Sequence, residues 1–340
     1  MPAVSVLMSV YNGADYLPPA LDSLLDQTFE DFELVVVDDA STDETPGILD
    51  EYEERDDRIF VMRNSENLRQ AGARNRGLSL CTAPFVAIAD ADDIYEKDRL
   101  QCQVDFMNEN PEVGVLSSNV HRVDQDGKNL RRSNLPLRHE AIRLQMNYTF
   151  PLRHPATMFR RDLLLEAGGY NEEAAPVEDV ELCGRLIRHT QFANLEEPLV
   201  RWRRHDASSF VTRGQAGRRI ALYTRQRMLR EYTGETFSLE QVEALHTLLK
   251  LRSVCHFQAV VEEGLEIAKT LRDELRRRGL GDLRREFEEE LFGAICSQSV
   301  KHGASDRSFG WYLLREAVRI SPRQVGRIRG LKRIAAMIRG

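Results

Sequence analysis

Short apolar runs alternate with helix-like segments over the first 120 residues, and this alternation constrains the fold more than any other feature. The runs are continuously apolar, as in 34–37 (LVVV) and 85–89 (FVAIA), which is typical of strands buried on both faces. Strand-like runs lie at 4–10, 34–37, 59–62, 85–89 and 113–117, and helical spacing is found at 17–25, 72–80 and 97–108. The pattern predicts an α/β fold with a mostly parallel sheet covered by helices on both faces.

The texture of the sequence changes further along the chain. The pattern weakens over 120–155, followed by a candidate strand at 155–159 and candidate helices at 161–167 and 177–189. Beyond about residue 214 the strand signals end, and long charged segments with helical spacing follow at 239–251, 260–278, 283–299 and 311–318. We therefore predict a sheet domain over 1–214 and an α-helical C-terminal region over 215–340.

Two of the predicted strands end in clusters of carboxylates. The second strand runs into Asp38 and Asp39, and the fourth into Asp90, Asp92 and Asp93. In an open parallel sheet, ligands bind beyond the carboxyl ends of the strands, so both clusters are expected at the ligand-binding edge. A single aspartate there is usually a turn or a helix cap, but two clusters need a cation or hydrogen-bond donors to offset their repulsion. Oxygen ligands of this kind suit Mg²⁺ or Mn²⁺.

Three classes of enzyme with such a sheet fit the residues poorly. A nicotinamide dehydrogenase needs a glycine-rich turn after the first strand, and MSVYNGADYL has no G-x-G-x-x-G. A haloacid-dehalogenase-type phosphatase carries D-x-D at its first strand, whereas here the motif comes ninety residues into the chain and is followed by Asp93 and Ile94. A nucleotidyltransferase opens with a glycine-rich basic loop, which this N-terminus lacks.

Four stretches in order resemble the family 2 inverting glycosyltransferases of the GT-A fold, over roughly residues 2–205. They are VSVLMSVYNGADYLPPALDSLLDQTFEDFELVVVDDASTDET, AGARNRGL, FVAIADADDIYEKDRL and PVEDVELCGRL. The resemblance implies a nucleotide-binding half over 1–118 and an acceptor-side half over 119–214. It also implies metal-dependent transfer of a sugar from a nucleotide diphosphate, UDP by preference, to a hydroxyl acceptor with inversion. The expected acceptor is a carbohydrate or lipid-linked sugar, and the expected setting is bacterial surface polysaccharide or glycolipid synthesis.

The same resemblance assigns nucleotide-binding residues. Asp39 matches the carboxylate that contacts the base, with Asp38 beside it. Asp38 has an equally good alternative role as a cap on the turn at Ser41. Ser9 and Tyr11, at the end of the first strand, match positions near the nucleotide, although Tyr11 is equally compatible with packing.

The third of these stretches carries the metal-binding motif. Asp92 matches the metal ligand, and Asp90 matches a contact to the ribose or, through water, to the metal, which is expected to be Mn²⁺ or Mg²⁺. Asp93 would orient these two carboxylates. Arg74 matches a basic residue close to the nucleotide, and its alternative is an arginine on the solvated face of a helix.

The fourth stretch supplies the predicted catalytic base. Asp179 matches the carboxylate that takes the proton of the acceptor hydroxyl. Glu178 is expected only to add charge to the first turn of a helix, where acids are favoured. His205 is a further candidate, on a loop over the diphosphate or the metal, with an exposed or structural histidine as the alternative.

Composition and charge restrict the partners and the compartment. The net charge of −7 argues against nucleic-acid binding, and five dispersed cysteines are typical of reduced thiols in a cytoplasmic protein. The N-terminus lacks the pattern of a signal peptide. Residues 319–340 carry seven Lys or Arg and no acid. They are compatible with peripheral contact at the inner face of a membrane, or with packing on the chain itself or on a second subunit of a homo-oligomer. The rival function is a non-catalytic nucleotide-sugar sensor or scaffold.

Overall fold

The computed structural model describes residues 1–204, 215–249, 257–303 and 307–321. The chain divides into two compact units. The first comprises Met1–Arg143 and Phe150–Thr224, and the second comprises Leu144–Thr149 and the described part of Arg225–Gly340. The predicted boundary after residue 214 stays a prediction, because the helix that begins at Gln215 runs on to Thr233 and belongs partly to each unit.

The first unit is built on a nine-stranded sheet. Its six strands of common direction are β1 (Val4–Val10), β2 (Phe32–Asp38), β3 (Ile59–Arg63), β4 (Phe85–Asp90), β6 (Val113–Val123) and β9 (Gln191–Arg203). The three opposing strands are β5 (Ile94–Tyr95), β7 (Asn129–Arg132) and β8 (Met158–Arg160). The strand order is β3-β2-β1-β4-β8-β6-β9-β5, with β7 paired to β6. The predicted mostly parallel α/β sheet is therefore confirmed.

Helices flank this sheet along the chain. The helices of the first unit are α1 (Leu17–Leu25), α2 (Thr45–Arg55), α3 (Arg69–Leu78), α4 (Arg99–Glu109), α5 (His139–Met146, whose last turn belongs to the second unit), α6 (Arg161–Glu166), α7 (Glu178–Leu186) and the start of α8 (Gln215–Thr233). The strand predicted at 155–159 is instead a 3₁₀ turn, His154–Ala156, followed by β8. Pro155 accounts for the difference, since it fixes its own φ and has no N–H to donate to a neighbouring strand.

Burial of the parallel strands follows directly from their composition. Every residue of β1 except Ser9 is buried, and so is every residue of β2 except Glu33. Helix α3 lies close against this part of the sheet at Gly77. A Cβ added there would lie 2.3 Å from Cδ1 of Leu7 and 2.8 Å from Cγ2 of Val37, so any larger residue would force these buried side chains to shift. The start of the same helix lies near the acids that follow β2, because the backbone N–H of Leu68 donates to Oδ1 of Asp39.

The second unit contains helices only, within the part of the chain that the structure describes. They are the end of α8 with α9 (Leu239–Leu249), α10 (Phe257–Arg277), α11 (Gly281–Gly303) and α12 (Arg307–Ile320). The predicted helical C-terminal region is confirmed over these ranges. None of the described helices combines the length and the apolar character that crossing a bilayer requires.

One short segment of the N-terminal sequence belongs to the second unit. Tyr148 is fully buried there, and its hydroxyl donates to Oε2 of Glu290 on α11 at 2.9 Å. Its carbonyl lies 2.6 Å from Nδ1 of His246 on α9, and its ring packs against that of Phe287 with centroids 6.2 Å apart. The helical unit is thus completed by six residues from the middle of the chain.

Candidate active site

The two acidic clusters lie side by side at one edge of the sheet. Strand β1 separates β2 from β4, and the parallel register pairs Val10 with Asp38 on one side and Ser9 with Asp90 on the other. The carboxyl ends of three adjacent strands therefore meet, as the sequence predicts.

The Asp39 carboxylate is buried and held in one orientation. Its Oδ1 accepts from Nδ2 of Asn64 at 2.7 Å and from the backbone N–H of Leu68 at 2.9 Å. Asp38 is also buried, and its Oδ1 accepts from the backbone N–H of Ser41 at 3.0 Å. The turn-capping role considered for Asp38 is therefore present, and Asp39 is fixed by neighbours that the sequence did not predict.

The loops that follow β1 and β2 are tied to each other. The backbone N–H of Asn12 donates to Oγ of Ser41, and Oδ1 of Asn12 accepts from the backbone N–H of Thr42. Ser9 is partly buried at the strand end, and Tyr11 has half of its surface exposed. Half of the Tyr11 surface is open to solvent, so its predicted place near the nucleotide stays a prediction, and so does its packing alternative.

Three carboxylates form a compact cluster after β4. One oxygen from each of Asp90, Asp92 and Asp93 lies within 4.8 Å of the others. Asp93 is fully buried; its Oδ1 accepts from the backbone N–H of Arg203 at 2.7 Å, while its Oδ2 has no hydrogen-bond partner among the described residues. The Tyr95 hydroxyl bonds both the N–H and the carbonyl of Asp90, which fixes the turn between them.

The electrostatics of this cluster fit a cation. Burial raises the pKa of Asp90 to about 6; Asp92 adds to the shift and Arg74 opposes it. Burial together with Asp92 and Asp90 raises the pKa of Asp93 well above its ordinary value. The unpartnered Oδ2 of Asp93 is a buried acceptor that a positive charge nearby would satisfy. Three crowded carboxylates with these properties match the oxygen-ligand chemistry of Mg²⁺ and Mn²⁺.

Arg74 connects the acidic cluster to helix α7. It is 3% exposed, and its Nη2 donates to Oδ1 of Asp90 at 2.9 Å while its Nη1 donates to Oε1 of Glu178 at 2.8 Å. Burial alone would lower the pKa of Arg74, but the carboxylates of Asp90 and Glu178 raise it above its ordinary value. The alternative of a solvated arginine is therefore wrong.

Glu178 has a larger role than the sequence predicts. The expectation that it only adds charge to a helix start is wrong, since it is 2% exposed and bound to Arg74. Its Oε2 has no partner among the described residues. The next residue, Asp179, is 8% exposed, and its Oδ1 accepts from the N–H of Val180 at 2.8 Å. Asp179, the predicted base, therefore follows directly after Glu178, which Arg74 links to Asp90 of the metal-binding motif.

Tyr170, an aromatic residue that the sequence did not mark as functional, also lies in this region. The guanidinium carbon of Arg74 lies 5.8 Å from the ring centroid of Tyr170, and the Tyr170 hydroxyl lies 3.0 Å from Nε2 of His154. Asn75 on α3 binds both the N–H and the carbonyl of Tyr170. The only sequence signal for this contact is the position of Tyr170 directly after the helix-terminating Gly168-Gly169, both with positive φ.

We expect Arg74→Gln to lower the free energy of unfolding of the sheet unit by about 3–5 kcal/mol, because it leaves the buried Glu178 carboxylate without its partner. Urea unfolding followed by Trp202 fluorescence in a Trp311→Phe background reports on this unit. Arg76→Gln, an exposed arginine on the same helix, is the matched control and should change little. The Arg74→Gln/Glu178→Gln double variant should lose less than the sum of the single variants. Equal losses for Arg74→Gln and Arg76→Gln would contradict the assigned ion pairs.

His205 lies outside the described residues, so its predicted role at the metal or diphosphate stays a prediction. The same holds for 322–340, which carry most of the basic tail. The remaining predicted residues, from Ser9 to Asp179, lie in the first unit. Arg74 binds Asp90, which clusters with Asp92, and it also binds Glu178, the neighbour of Asp179 in the sequence.

Sequence comparisons place these features in a known family. The family described as Glycosyl transferase family 2 matches residues 5–168. EpsE of Bacillus subtilis is 31% identical over 216 residues, which cover 62% of this chain and 76% of EpsE. The chain belongs to the family 2 glycosyltransferases. The O-antigen biosynthesis glycosyltransferase WbnJ of Escherichia coli is 27% identical over 214 residues, 61% of this chain and 81% of WbnJ. This glycosyltransferase therefore has relatives in bacterial polysaccharide synthesis, and membership favours an enzyme over a scaffold.

Solved structures agree on the architecture. The structure of S. aureus TarS 1–349 in complex with UDP-GlcNAc has a TM-score of 0.57 and 19% identity, covering 93% of this chain and 88% of that chain. The mannosyltransferase PcManGT from Pyrobaculum calidifontis in complex with GDP-Man and Mn²⁺ has a TM-score of 0.52 and 18% identity, covering 94% of this chain and 87% of that one. The likeness confirms the GT-A type of fold for this glycosyltransferase. Glu178 and Asp179 lie beyond the end of the family match at residue 168.

Proposed function

We propose that this glycosyltransferase moves a sugar from a UDP-sugar to a hydroxyl acceptor, with a divalent ion and with inversion at the anomeric carbon. The observation that carries the proposal is the Asp90–Arg74–Glu178 bridge, which holds the acidic cluster and the start of α7 within the reach of one guanidinium group. A site for the donor diphosphate and a carboxylate for the acceptor are thereby fixed relative to each other.

The nucleotide is proposed to lie over the ends of β1 and β2. Both hydrogen bonds to Asp39 use Oδ1, so Oδ2 can accept the ring N–H of uracil. Ser9 and the exposed Tyr11 border this position, and Asp38 supports the turn beside it. The complexes of TarS with UDP-GlcNAc and of PcManGT with GDP-Man support a nucleotide-sugar donor.

The divalent ion is proposed to be Mn²⁺ or Mg²⁺, held by Asp92 and by Asp90, directly or through water, with Asp93 orienting both. When bound, the ion supplies positive charge that stabilises the diphosphate as a leaving group. The Mn²⁺ in PcManGT supports this assignment. Arg74 stays in contact with Asp90 and keeps that carboxylate in position.

Asp179 is proposed as the general base. It takes the proton of the acceptor hydroxyl while the hydroxyl oxygen bonds to the anomeric carbon and the bond from that carbon to the diphosphate oxygen breaks. Attack from the face opposite the diphosphate inverts the configuration. The name of WbnJ, an O-antigen biosynthesis glycosyltransferase, supports a role in surface polysaccharide assembly. The proposed acceptor is a carbohydrate or lipid-linked sugar, used at the inner face of the membrane.

The proposal predicts nucleotide binding that depends on metal. With Mn²⁺ present, UDP at about 100 times its Kd should stabilise the native state by about 2.7 kcal/mol and raise Tm; removal of the metal with EDTA should abolish most of the rise. ADP with Mn²⁺ is the control for base recognition, and release of UDP from UDP-sugars tests turnover. A Tm that responds equally to UDP and ADP, or equally with and without metal, would count against the assignment.

A further inference from the structure

Four arginines gather at the carboxyl ends of β6 and β9, on the acceptor side of the sheet. We call Arg122, Arg131, Arg153 and Arg204 the arginine cluster. Arg122 stands directly opposite Arg131 in the antiparallel pairing of β6 with β7, and it is paired with Trp202 on β9. Like charges directly opposite each other in a sheet are destabilising, so this pairing has an electrostatic cost in the free protein.

Trp202 lies between two members of the cluster. The guanidinium carbons of Arg122 and Arg153 lie 5.3 Å and 5.8 Å from its ring centroid. These cation–π contacts hold the two guanidinium groups near one point on the sheet. Both guanidinium groups therefore lie against the same side chain.

The cluster lacks acidic partners. Within the described residues, none of its four members forms an ion pair, and the Nε atoms of Arg122 and Arg153 are buried without a hydrogen-bond partner. Their sequence neighbours differ, because Arg132 lies 3.9 Å from Oε1 of Glu196 and Arg201 lies 2.8 Å from Oε1 of Glu96. Unpaired buried guanidinium nitrogens are costly unless an anion satisfies them.

The charges in the cluster act on one another. Burial, then Arg122 and Arg131, lower the pKa of Arg153 to about 10. Burial, then Arg204 and Arg131, lower the pKa of Arg122. An anion bound among these groups would relieve their mutual repulsion.

The cluster is joined to the proposed donor site through β9. Arg203, between Trp202 and Arg204, donates its backbone N–H to Asp93 and its Nε to the carbonyl of Asp92. Arg204 of the arginine cluster is therefore the next residue after Arg203, which binds the acidic turn. A group bound there lies in the acceptor-side half of the chain, at the residues of β9 that flank Arg203.

We propose that the arginine cluster binds a phosphate group of the acceptor, so that this enzyme glycosylates a phosphate-bearing substrate. The inference rests on the proposed function, because it names the chemical class of the acceptor. Guanidinium groups suit this ligand, since each presents a planar set of N–H donors that bonds phosphate oxygens in pairs. The exposed Arg131 and the partly exposed Arg122 offer such sets from opposite positions on β7 and β6.

The test titrates inorganic phosphate into the full chain, with and without saturating UDP and Mg²⁺, by calorimetry. Saturation with UDP keeps phosphate out of the donor site. Arg131→Gln should weaken phosphate binding at least about tenfold, because charged hydrogen bonds are lost. Arg132→Gln, the adjacent residue on β7 with its own acidic partner, is the matched control and should change it less than about twofold. The affinity for UDP should stay the same in both variants.

Three results would overturn the inference. They are no phosphate binding to the UDP-saturated protein, equal weakening in the two variants, and a loss of UDP affinity in Arg131→Gln, which would assign the arginine to the donor. If UDP fails to bind while phosphate binding still depends on Arg131, the proposed function fails and the anion site stands. If UDP binds as expected and phosphate binding ignores Arg131, only this inference fails.

Two further probes separate the sources of the phosphate. Arg131-dependent binding of glycerol 3-phosphate indicates a soluble or polymeric phosphate ester. Arg131-dependent binding to vesicles of phosphatidylglycerol and phosphatidylcholine, absent with phosphatidylcholine alone and with glycerol 3-phosphate, indicates a lipid headgroup. Arg132→Gln serves as the control in both arms, so that general attraction of basic residues to anionic lipid is subtracted.

Discussion

Replacing Asp92 by asparagine should abolish the metal-dependent part of UDP binding and with it sugar transfer. Asp90 already binds Arg74, and Asp93 already binds the N–H of Arg203, so the loss of the third charge leaves a cation poorly neutralised. We expect UDP affinity in Mn²⁺ to fall at least about 100-fold, and kcat/KM at least about 1,000-fold. Calorimetry with UDP, with and without Mn²⁺, separates the metal effect from contacts to the base.

Asp57→Asn is the matched control for this substitution. Asp57 is an exposed aspartate just before β3, at the edge of the sheet away from the acids. Asp57→Asn should leave UDP binding and sugar transfer unchanged. If Asp92→Asn keeps the affinity gained with Mn²⁺, the cluster does not hold the metal and the assignment of the donor site is wrong.

Replacing Asp179 by asparagine should remove transfer but keep the donor site. The amide cannot take the acceptor proton, so we expect kcat to fall by about 100- to 10,000-fold while the Kd for UDP with Mn²⁺ stays within about twofold. The substitution keeps the size of the side chain and leaves the Arg74–Glu178 pair in place. UDP release from the donor in the presence of acceptor measures kcat, and calorimetry measures binding.

Glu173→Gln tests whether any nearby acid would have the same effect. Glu173 lies in the short 3₁₀ turn before α7. Its side chain is exposed, whereas that of Asp179 is buried. It should be silent. Transfer that survives in Asp179→Asn would place the base on another residue while leaving the metal assignment intact.

The parallel half of the sheet was predictable because its strands are buried on both faces, and such strands are continuously apolar in sequence. A run such as that of β4 is apolar on both faces, and its acids follow at once, so strand and site are read from the same ten residues. The acceptor-side half was not predictable in this way. Strand β6 continues past Ser117 to Val123 through polar residues, and β9 extends over 13 residues despite Pro198. Pairing with neighbouring strands, and not local composition, decides those lengths.

The roles of Arg74 and Glu178 show a second limit. The motif residues themselves could be named from the sequence, but the partnership spans 104 residues. From the sequence, Arg74 is expected near the nucleotide and Glu178 only at a helix start, and neither is expected to contact the other. Only the packing of α3 and α7 against the sheet removes them from water, and burial then requires that they pair.

The contribution of Leu144–Thr149 to the helical unit bears on how such an enzyme can evolve by recombination. Tyr148 is enclosed by α9 and α11, yet it is encoded between two parts of the sheet domain. A crossover that exchanged everything after residue 224 for the helices of another gene would leave this tyrosine without its glutamate and histidine neighbours. Viable chimaeras would have to inherit the hexapeptide together with the helices, so the two halves of the gene are expected to vary as a linked pair.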